Sequence, residues 1–337
     1  MSRIYYFATK FTCYLIVLLL HTISSSHAQD TLHRHMFRFY EDNDIIKLFG
    51  DISDKGYTNG TRLDYYYTKN HKSTFFIDKW MPKAGSQAVN TFGIGLMQTM
   101  YTPDDLTLKE PDVTDWPYTG ALFLSHSLNS SNPSKTYSLN TEIIAGVMGK
   151  ASMAEQMQKG IHKIIASDEP MGWDKQFPTD VLLNLNFSLE MQLWHYGRVL
   201  EIIGGGEGMA GTMINGASLY GLIRIGKMQP YFNGFIQQYA RSFRQKNKLQ
   251  LYMIIKPSLD WVGYNAVLEG GVFAGRSDYY QTAERAQVNN SISRRLDLEM
   301  VAGYGFISLS FTQRIMPKLV DGFSHQRLGN ISLHIAW

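Results

Sequence analysis

Apolar and polar residues alternate along much of the chain. The clearest run is Leu183 to Leu193, where Leu183, Leu185, Phe187, Leu189, Met191 and Leu193 alternate with Asn184, Asn186, Ser188, Glu190 and Gln192. A period of two over about eleven residues gives one apolar and one polar face, and a tilted strand of ~9–11 residues crosses a bilayer. Leu296, Leu298 and Met300, then Ile307, Leu309 and Phe311, repeat the pattern, as does the final run Ile331, Leu333, Ile335 and Trp337. Twelve such strands are predicted, near 36–41, 61–67, 91–100, 118–127, 137–148, 182–194, 199–209, 217–227, 249–257, 292–304, 305–313 and 328–337. The stretches 232–244 and 261–273 are ambiguous. A soluble sandwich also alternates, but with shorter polar faces than Asn184–Gln192. The pattern predicts an all-β fold, a transmembrane antiparallel barrel of about twelve strands, closed because hydrocarbon tolerates no open edge. A terminal aromatic residue on an alternating strand suits such barrels.

One segment breaks the period. From Ala151 to Ala166 it lengthens to about 3.6, so that Met153, Met157, Ile161, Ile164 and Ile165 share one helical face while Glu155, Gln158 and His162 share the opposite one. The reading is a short helix inserted between two strands at the extracellular side, its apolar face against the barrel rim or lipid and its three polar groups aimed at one point.

Composition narrows the class. The 337 residues are 44% hydrophobic and 18% charged, which excludes wholesale disorder. A net charge of +3 without a basic block gives no support for nucleic acid as a partner. Residues 1–28 read as a signal peptide: Arg3 and Lys10, a short apolar run from Phe11 to Leu20, and the small-x-small site Ser26-His27-Ala28. The single cysteine, Cys13, lies inside that segment, so residues 29–337 are expected to form one outer-membrane barrel domain without disulfides.

Three places can carry chemistry. Gln158 and His162 lie one helical turn apart; a histidine serves as general base near neutral pH, and a glutamine can orient it or donate to an oxyanion. The same spacing also suits a solvated helix face. The run Glu41-Asp42-Asn43-Asp44 supplies oxygen ligands suited to Ca²⁺, which polarises an ester carbonyl; an ordinary acidic loop looks the same. Thr58 and Asn59, in Asp54–Gly60, offer a hydroxyl and an amide. The glycines of Gly204–Gly208 have no helix with a lysine after them, so they read as a tight turn and not a phosphate loop. His126 and Ser127 point to opposite strand faces and cannot readily pair. His195 and His334 read as structural.

Taken in order, E-x-N-D at Glu41–Asp44, D-K-G-Y-T-N-G at Asp54–Gly60, Y-T-P-D at Tyr101–Asp104, D-W-P-Y-T-G at Asp115–Gly120, E-Q-M-Q-K-G-I-H at Glu155–His162 and G-W-D-K-Q at Gly172–Gln176 resemble the outer-membrane lipid A 3′-O-deacylase family. The resemblance runs through nearly all of the mature chain and is densest from Phe37 to Asn186. It implies a twelve-stranded barrel in a Gram-negative outer membrane, exported through its signal peptide, that hydrolyses the 3′ ester-linked acyl group of lipid A (the lipid anchor of lipopolysaccharide) with Ca²⁺. His162 matches the catalytic base, Gln158 the neighbouring glutamine, Asn43 and Asp44 the residues supporting cation and base, and Thr58 the threonine of the second motif. Glu155 joins Asn43 and Asp44 as an expected metal ligand. The family also uses a lysine near the oxyanion, for which Lys109 and Lys150 are the choices. Trp116, where a basic residue is usual, and Lys150, where proline is usual, are expected to affect substrate fit. The alternatives are another lipid esterase of phospholipase type and a non-catalytic barrel or pore. A monomer or loose oligomer is expected.

Overall fold

The computed structural model describes residues 32–43, 46, 56–69, 73–241, 249–281, 292–316 and 326–337. The signal segment, Cys13 and Asp44 lie outside the described residues.

Twelve antiparallel strands close into a barrel in sequence order, β12 pairing with β1. They are β1 (His35–Asn43), β2 (Gly56–Thr68), β3 (Val89–Thr102), β4 (Thr119–Asn132), β5 (Tyr137–Met148), β6 (Asp180–Tyr196), β7 (Leu200–Gly211), β8 (Ile214–Lys227), β9 (Leu249–Asn265), β10 (Ser293–Tyr304), β11 (Ile307–Met316) and β12 (Gln326–Ala336). Closure brings the termini together: Trp337 N–H donates to His35 O at 2.9 Å and His35 N–H to Trp337 O at 3.0 Å. The Trp337 ring stacks near those of His35 and Tyr65, as an interfacial aromatic cluster should.

Alternation decides which side chains meet lipid. On β6 the row Leu183 to Leu193 is exposed on the outer wall. The opposite row turns into the lumen, where it joins a polar lattice: Asn186 donates to Glu142 (3.2 Å), Arg62 pairs with Glu142 (2.7 Å) and Asp64 (2.8 Å), and Arg38 pairs with Asp64 (2.6 Å). The Gly204–Gly208 run lies within β7 and is not the expected turn. Its reason is packing: a Cβ on Gly205 would lie 2.3 Å from the Tyr220 ring, whose hydroxyl donates to Glu190 at 2.9 Å.

Short helices fill the connections. Helix α1 (Phe76–Trp80) precedes β3, α2 (Ala154–Ile165) follows β5, α3 (Phe235–Tyr239) follows β8, and α4 (Ala266–Glu269) and α5 (Asp278–Gln281) follow β9. The ambiguous stretch 232–244 therefore contains α3, and 261–273 contains the end of β9 and α4. The α3 segment folds into the lumen from the periplasmic end. Tyr239 stacks on His334 of β12 (3.9 Å between centroids), Phe235 packs on Tyr66 of β2 (4.7 Å), and Tyr231 donates to Glu190 of β6 (2.9 Å). At the extracellular end a hydrophobic cluster of Tyr57, Tyr101, Trp116, Phe177, Leu268 and Tyr280, among others, fills the mouth. Trp116 is buried in that cap against Tyr101. A cavity of about 280 Å³ remains between the two closures, bordered by Arg38, Arg62 and Glu142.

Candidate active site

The site forms outside the lumen, where α2 lies on the outer wall of β3 and β4. The helix presents its polar side inward: Ala154, Gln158 and His162 are buried, while Met153 (58% exposed), Met157, Ile161 and Ile164 face away from the barrel. In water this would be inside out; next to hydrocarbon it satisfies both faces. Gly120 makes the docking possible, since a Cβ there would lie 2.3 Å from that of Ala154. Gln98 of β3 holds the turn leading into α2 by donating to Ser152 O (2.7 Å).

The geometry fixes the two polar groups of α2. His162 Nδ1 lies 2.5 Å from Asp168 O. A carbonyl only accepts, so Nδ1 carries a proton, and in the neutral ring the lone pair lies on Nε2. The contact exists because the helix ends at Ala166, which adopts the left-handed conformation (φ 55°) and turns the chain back toward the ring. Gln158 is 3% exposed, and its Oε1 accepts from Trp173 Nε1 at 2.7 Å. Indole N–H is donor only, which orients the amide and leaves Gln158 Nε2 buried without a partner among the described residues. Trp173 itself is fully buried against Tyr118.

The expected β1 and β2 residues lie at the extracellular ends of their own strands. Along β1, Arg38, Tyr40 and Asp42 belong to the lumen row, Tyr40 donating to Asp42, so alternation puts Glu41 and Asn43 on the outer row. The acidic run is thus divided between two faces. Glu41 accepts from Thr61 (2.7 Å) and from Asn59, and Asn43 pairs in register with Asn59. Thr58 is buried at a bulge between β2 and β3, its hydroxyl 2.6 Å from that of Thr102. Glu155 is bound by Lys159 one turn along (2.8 Å); that pair holds the Lys159 ammonium above its ordinary range. Lys109 and Lys150 are both exposed. Among the described residues no three His, Cys, Asp or Glu side chains gather as a metal requires. The donors of this rim are nonetheless carboxylate, amide and hydroxyl oxygens, the chemistry that suits a hard cation.

Two contributors escaped the sequence reading. Asp168 acts through its backbone carbonyl, which no side-chain pattern signals. Trp173 stands in the G-W-D-K-Q motif and could have been taken from it. His126 and Ser127 do diverge, His126 toward Asp78 on the outer wall (2.6 Å) and Ser127 toward the lumen cavity.

Residues 14–337 match the family model described as Outer membrane protein LpxR. The chain belongs to the LpxR family. This is the lipid A 3′-O-deacylase family its motifs resemble, and it places the LpxR-type barrel in the outer membrane. LpxR from Salmonella typhimurium superposes with a TM-score of 0.71 at 16% identity, over 90% of this chain and 100% of that one, a likeness of fold. The KdgM porin (TM-score 0.38, 5% identity, 90% of this chain and 99% of that one) and the β domain of the Bordetella autotransporter BrkA (0.43, 10%, 90% and 99%) are more distant. Among curated proteins none matches the sequence.

Proposed function

We propose that this LpxR-family barrel is a lipid A deacylase that hydrolyses the 3′ ester-linked acyl group in the outer leaflet. The observation that carries this reading is the buried polar side of α2, which lies between the outer wall and lipid. One helical turn apart it carries a basic ring nitrogen, His162 Nε2, and a buried donor without a partner among the described residues, Gln158 Nε2. His162 Nε2 takes a proton from water as the water oxygen attacks the acyl carbonyl. Gln158 Nε2 donates to the oxygen as it becomes negative; a donor with no ground-state partner loses nothing in that exchange. The tetrahedral species collapses by breaking the ester bond. His162 passes its proton to the departing sugar oxygen, which leaves as a hydroxyl, and the acyl group leaves as a fatty acid. Asp168 O holds the imidazole in the required tautomer throughout.

Asn43 and Asp44 would hold Ca²⁺, in keeping with the oxygen donors of the rim. When bound, Ca²⁺ supplies positive charge beside the reacting carbonyl. The hydrophobic cap and the α3 segment, both packed within the barrel, argue against the pore alternative.

Mass spectrometry of lipid A incubated with the refolded protein, in Ca²⁺ and in chelator, tests the reading. A Ca²⁺-dependent loss of the 3′ acyl group is expected. His162→Ala should keep a folded barrel and reduce hydrolysis by ~10²–10⁴. Cleaved phospholipid beside intact lipid A would refute the substrate. No cleavage of either by a folded barrel would refute the enzyme, and full activity in His162→Ala would remove that residue from the mechanism.

A further inference from the structure

The chain after β9 leaves its own strand and crosses the barrel mouth. Helix α4 starts the crossing, Ala266 N–H donating to Met213 O between β7 and β8 at 2.8 Å. The segment then meets the connection between β5 and β6. Asp180, 4% exposed at the head of β6, accepts from the N–H groups of Phe273 and Ala274, both at 2.8 Å. Gly271 permits this approach, since a Cβ there would lie 2.1 Å from Asp180 Oδ2. Ser277 donates to Lys175 O at 2.9 Å, and Tyr279 donates to Pro111 O, between β3 and β4, at 2.5 Å.

Tyr280 of α5 completes the crossing. It is fully buried. Its ring stands edge-on to Phe177 (5.6 Å between centroids), and its hydroxyl accepts from Tyr118 N–H at 3.4 Å. Tyr118 leads into β4, five strands around the barrel from β9. Its ring lies on Trp173 (4.9 Å), and its carbonyl accepts from Phe177 N–H at 3.1 Å. The contacts at Tyr118, Lys175, Phe177 and Asp180 thus surround the turn Gly172–Lys175, whose Trp173 orients the Gln158 amide. A single 3₁₀ turn holds its side chains poorly by its own bonds, so packing from outside has to fix the indole.

We infer that the crossing segment is the strut of the proposed site, and that Tyr280 is a positioning residue for Gln158, acting through Tyr118 and Trp173. The inference rests on the deacylase reading, in which Gln158 Nε2 is the oxyanion donor. Filling the mouth would account for a bulky apolar group at Tyr280. It would not account for a hydroxyl on Tyr118 N–H, nor for the bonds to Lys175 O and Asp180 on either side of Phe177. The strut also gives the D-W-P-Y-T-G motif a physical reason, since Tyr118 backs Trp173 and Gly120 admits Ala154.

A double-mutant cycle on lipid A hydrolysis by the refolded protein tests this, with the folded barrel followed by circular dichroism. Tyr280→Leu keeps apolar bulk but loses the ring edge and the hydroxyl; it should lower kcat about tenfold with KM little changed. Tyr280→Phe, which keeps the ring against Phe177, should stay within about twofold of the wild type. In a Gln158→Ala background Tyr280→Leu should cost less than about twofold, because the group it positions is gone. A mere loss of active protein would instead multiply through both backgrounds. Equal losses in the two backgrounds, an unchanged kcat, or a rise in KM alone would overturn the inference. If Tyr280→Leu does not fold, Ser277→Ala decides by the same cycle: a loss of about threefold confined to the Gln158 protein supports the strut, and any other result counts against it. A wild type inert toward lipid A would refute the deacylase reading, and the strut with it.

Discussion

At the residue scale the site depends on which atom of each polar side chain is already committed. His162 has spent Nδ1 on Asp168 O, and Gln158 has spent Oε1 on Trp173 Nε1. What remains, an acceptor on one and a donor on the other, is what ester hydrolysis needs. The sequence made both residues visible through their spacing of four, but not their partners, because one partner is a backbone carbonyl and the other lies fifteen positions on. Glu155, expected beside them, occupies the same side of the helical wheel yet is engaged by Lys159, since a salt bridge one turn along needs no tertiary contact. Trp173 thus becomes a positioning residue. Gln158→Ala should lower kcat by ~10²–10³ through loss of the oxyanion donor. Trp173→Phe keeps the ring but frees the amide to flip; kcat should fall about tenfold, a loss of ~1.4 kcal/mol in the transition state, with KM little changed. Equal losses in kcat and kcat/KM for Gln158→Ala, measured on one lipid A preparation, would fit this role; a rise in KM alone would not.

At the element scale the strands were legible and the helices only partly so. Period two is enforced wherever one face meets lipid and the other the lumen, so all twelve strands were readable. Most of their extracellular ends extend beyond the alternation, those of β4, β5 and β10 excepted. Strand β9 was stopped at Pro257, but the strand runs to Asn265, with the proline beside a gap in the β8 ladder between the Tyr220 and Ile223 pairs. Helix α2 was visible by its change of period, yet the pattern left open whether its apolar face meets the barrel rim or lipid. The lumen segment α3 was ambiguous because five helical residues are too few to set a period. The end of α2 carries a local cost that follows from its job. Ala166 sits at φ 55°, where a Cβ is unfavourable by roughly 1–2 kcal/mol, and the turn it makes brings Asp168 O to His162. Ala166→Gly should therefore stabilise the folded protein by about 0.5 kcal/mol, the relief being offset in part by the added freedom of glycine in the unfolded chain. Urea unfolding of the refolded barrel checks this; a clear destabilisation would show that the alanine methyl, and not the backbone, matters there.

At the scale of the whole molecule, the proposed site on α2 and the barrel interior are separated. The lumen holds a lattice of ion pairs in which Asp64 serves both Arg38 and Arg62, and removing one member of such a set is costly because the rest stay buried and unpaired. Above it stands the hydrophobic cap containing Trp116 and Tyr280; below it stands the α3 segment, pinned by the Tyr239 stack on His334 and the Tyr231 bond to Glu190. Ions crossing this barrel would have to pass both closures in series. Planar-bilayer recordings of the refolded wild type should therefore show no unitary current steps. Trimming the periplasmic closure with Phe235→Ala and Tyr239→Ala removes rings that contact β2 and β12, but leaves the cap in place. That variant should remain silent too, while keeping lipid A hydrolysis, because the polar side of α2 makes its contacts with Trp173, Asp168 and the β3–β4 wall and not with α3. Steady steps in the wild type would revive the pore reading. Steps only in the trimmed variant would show that α3 is the seal and that the cap lets ions through.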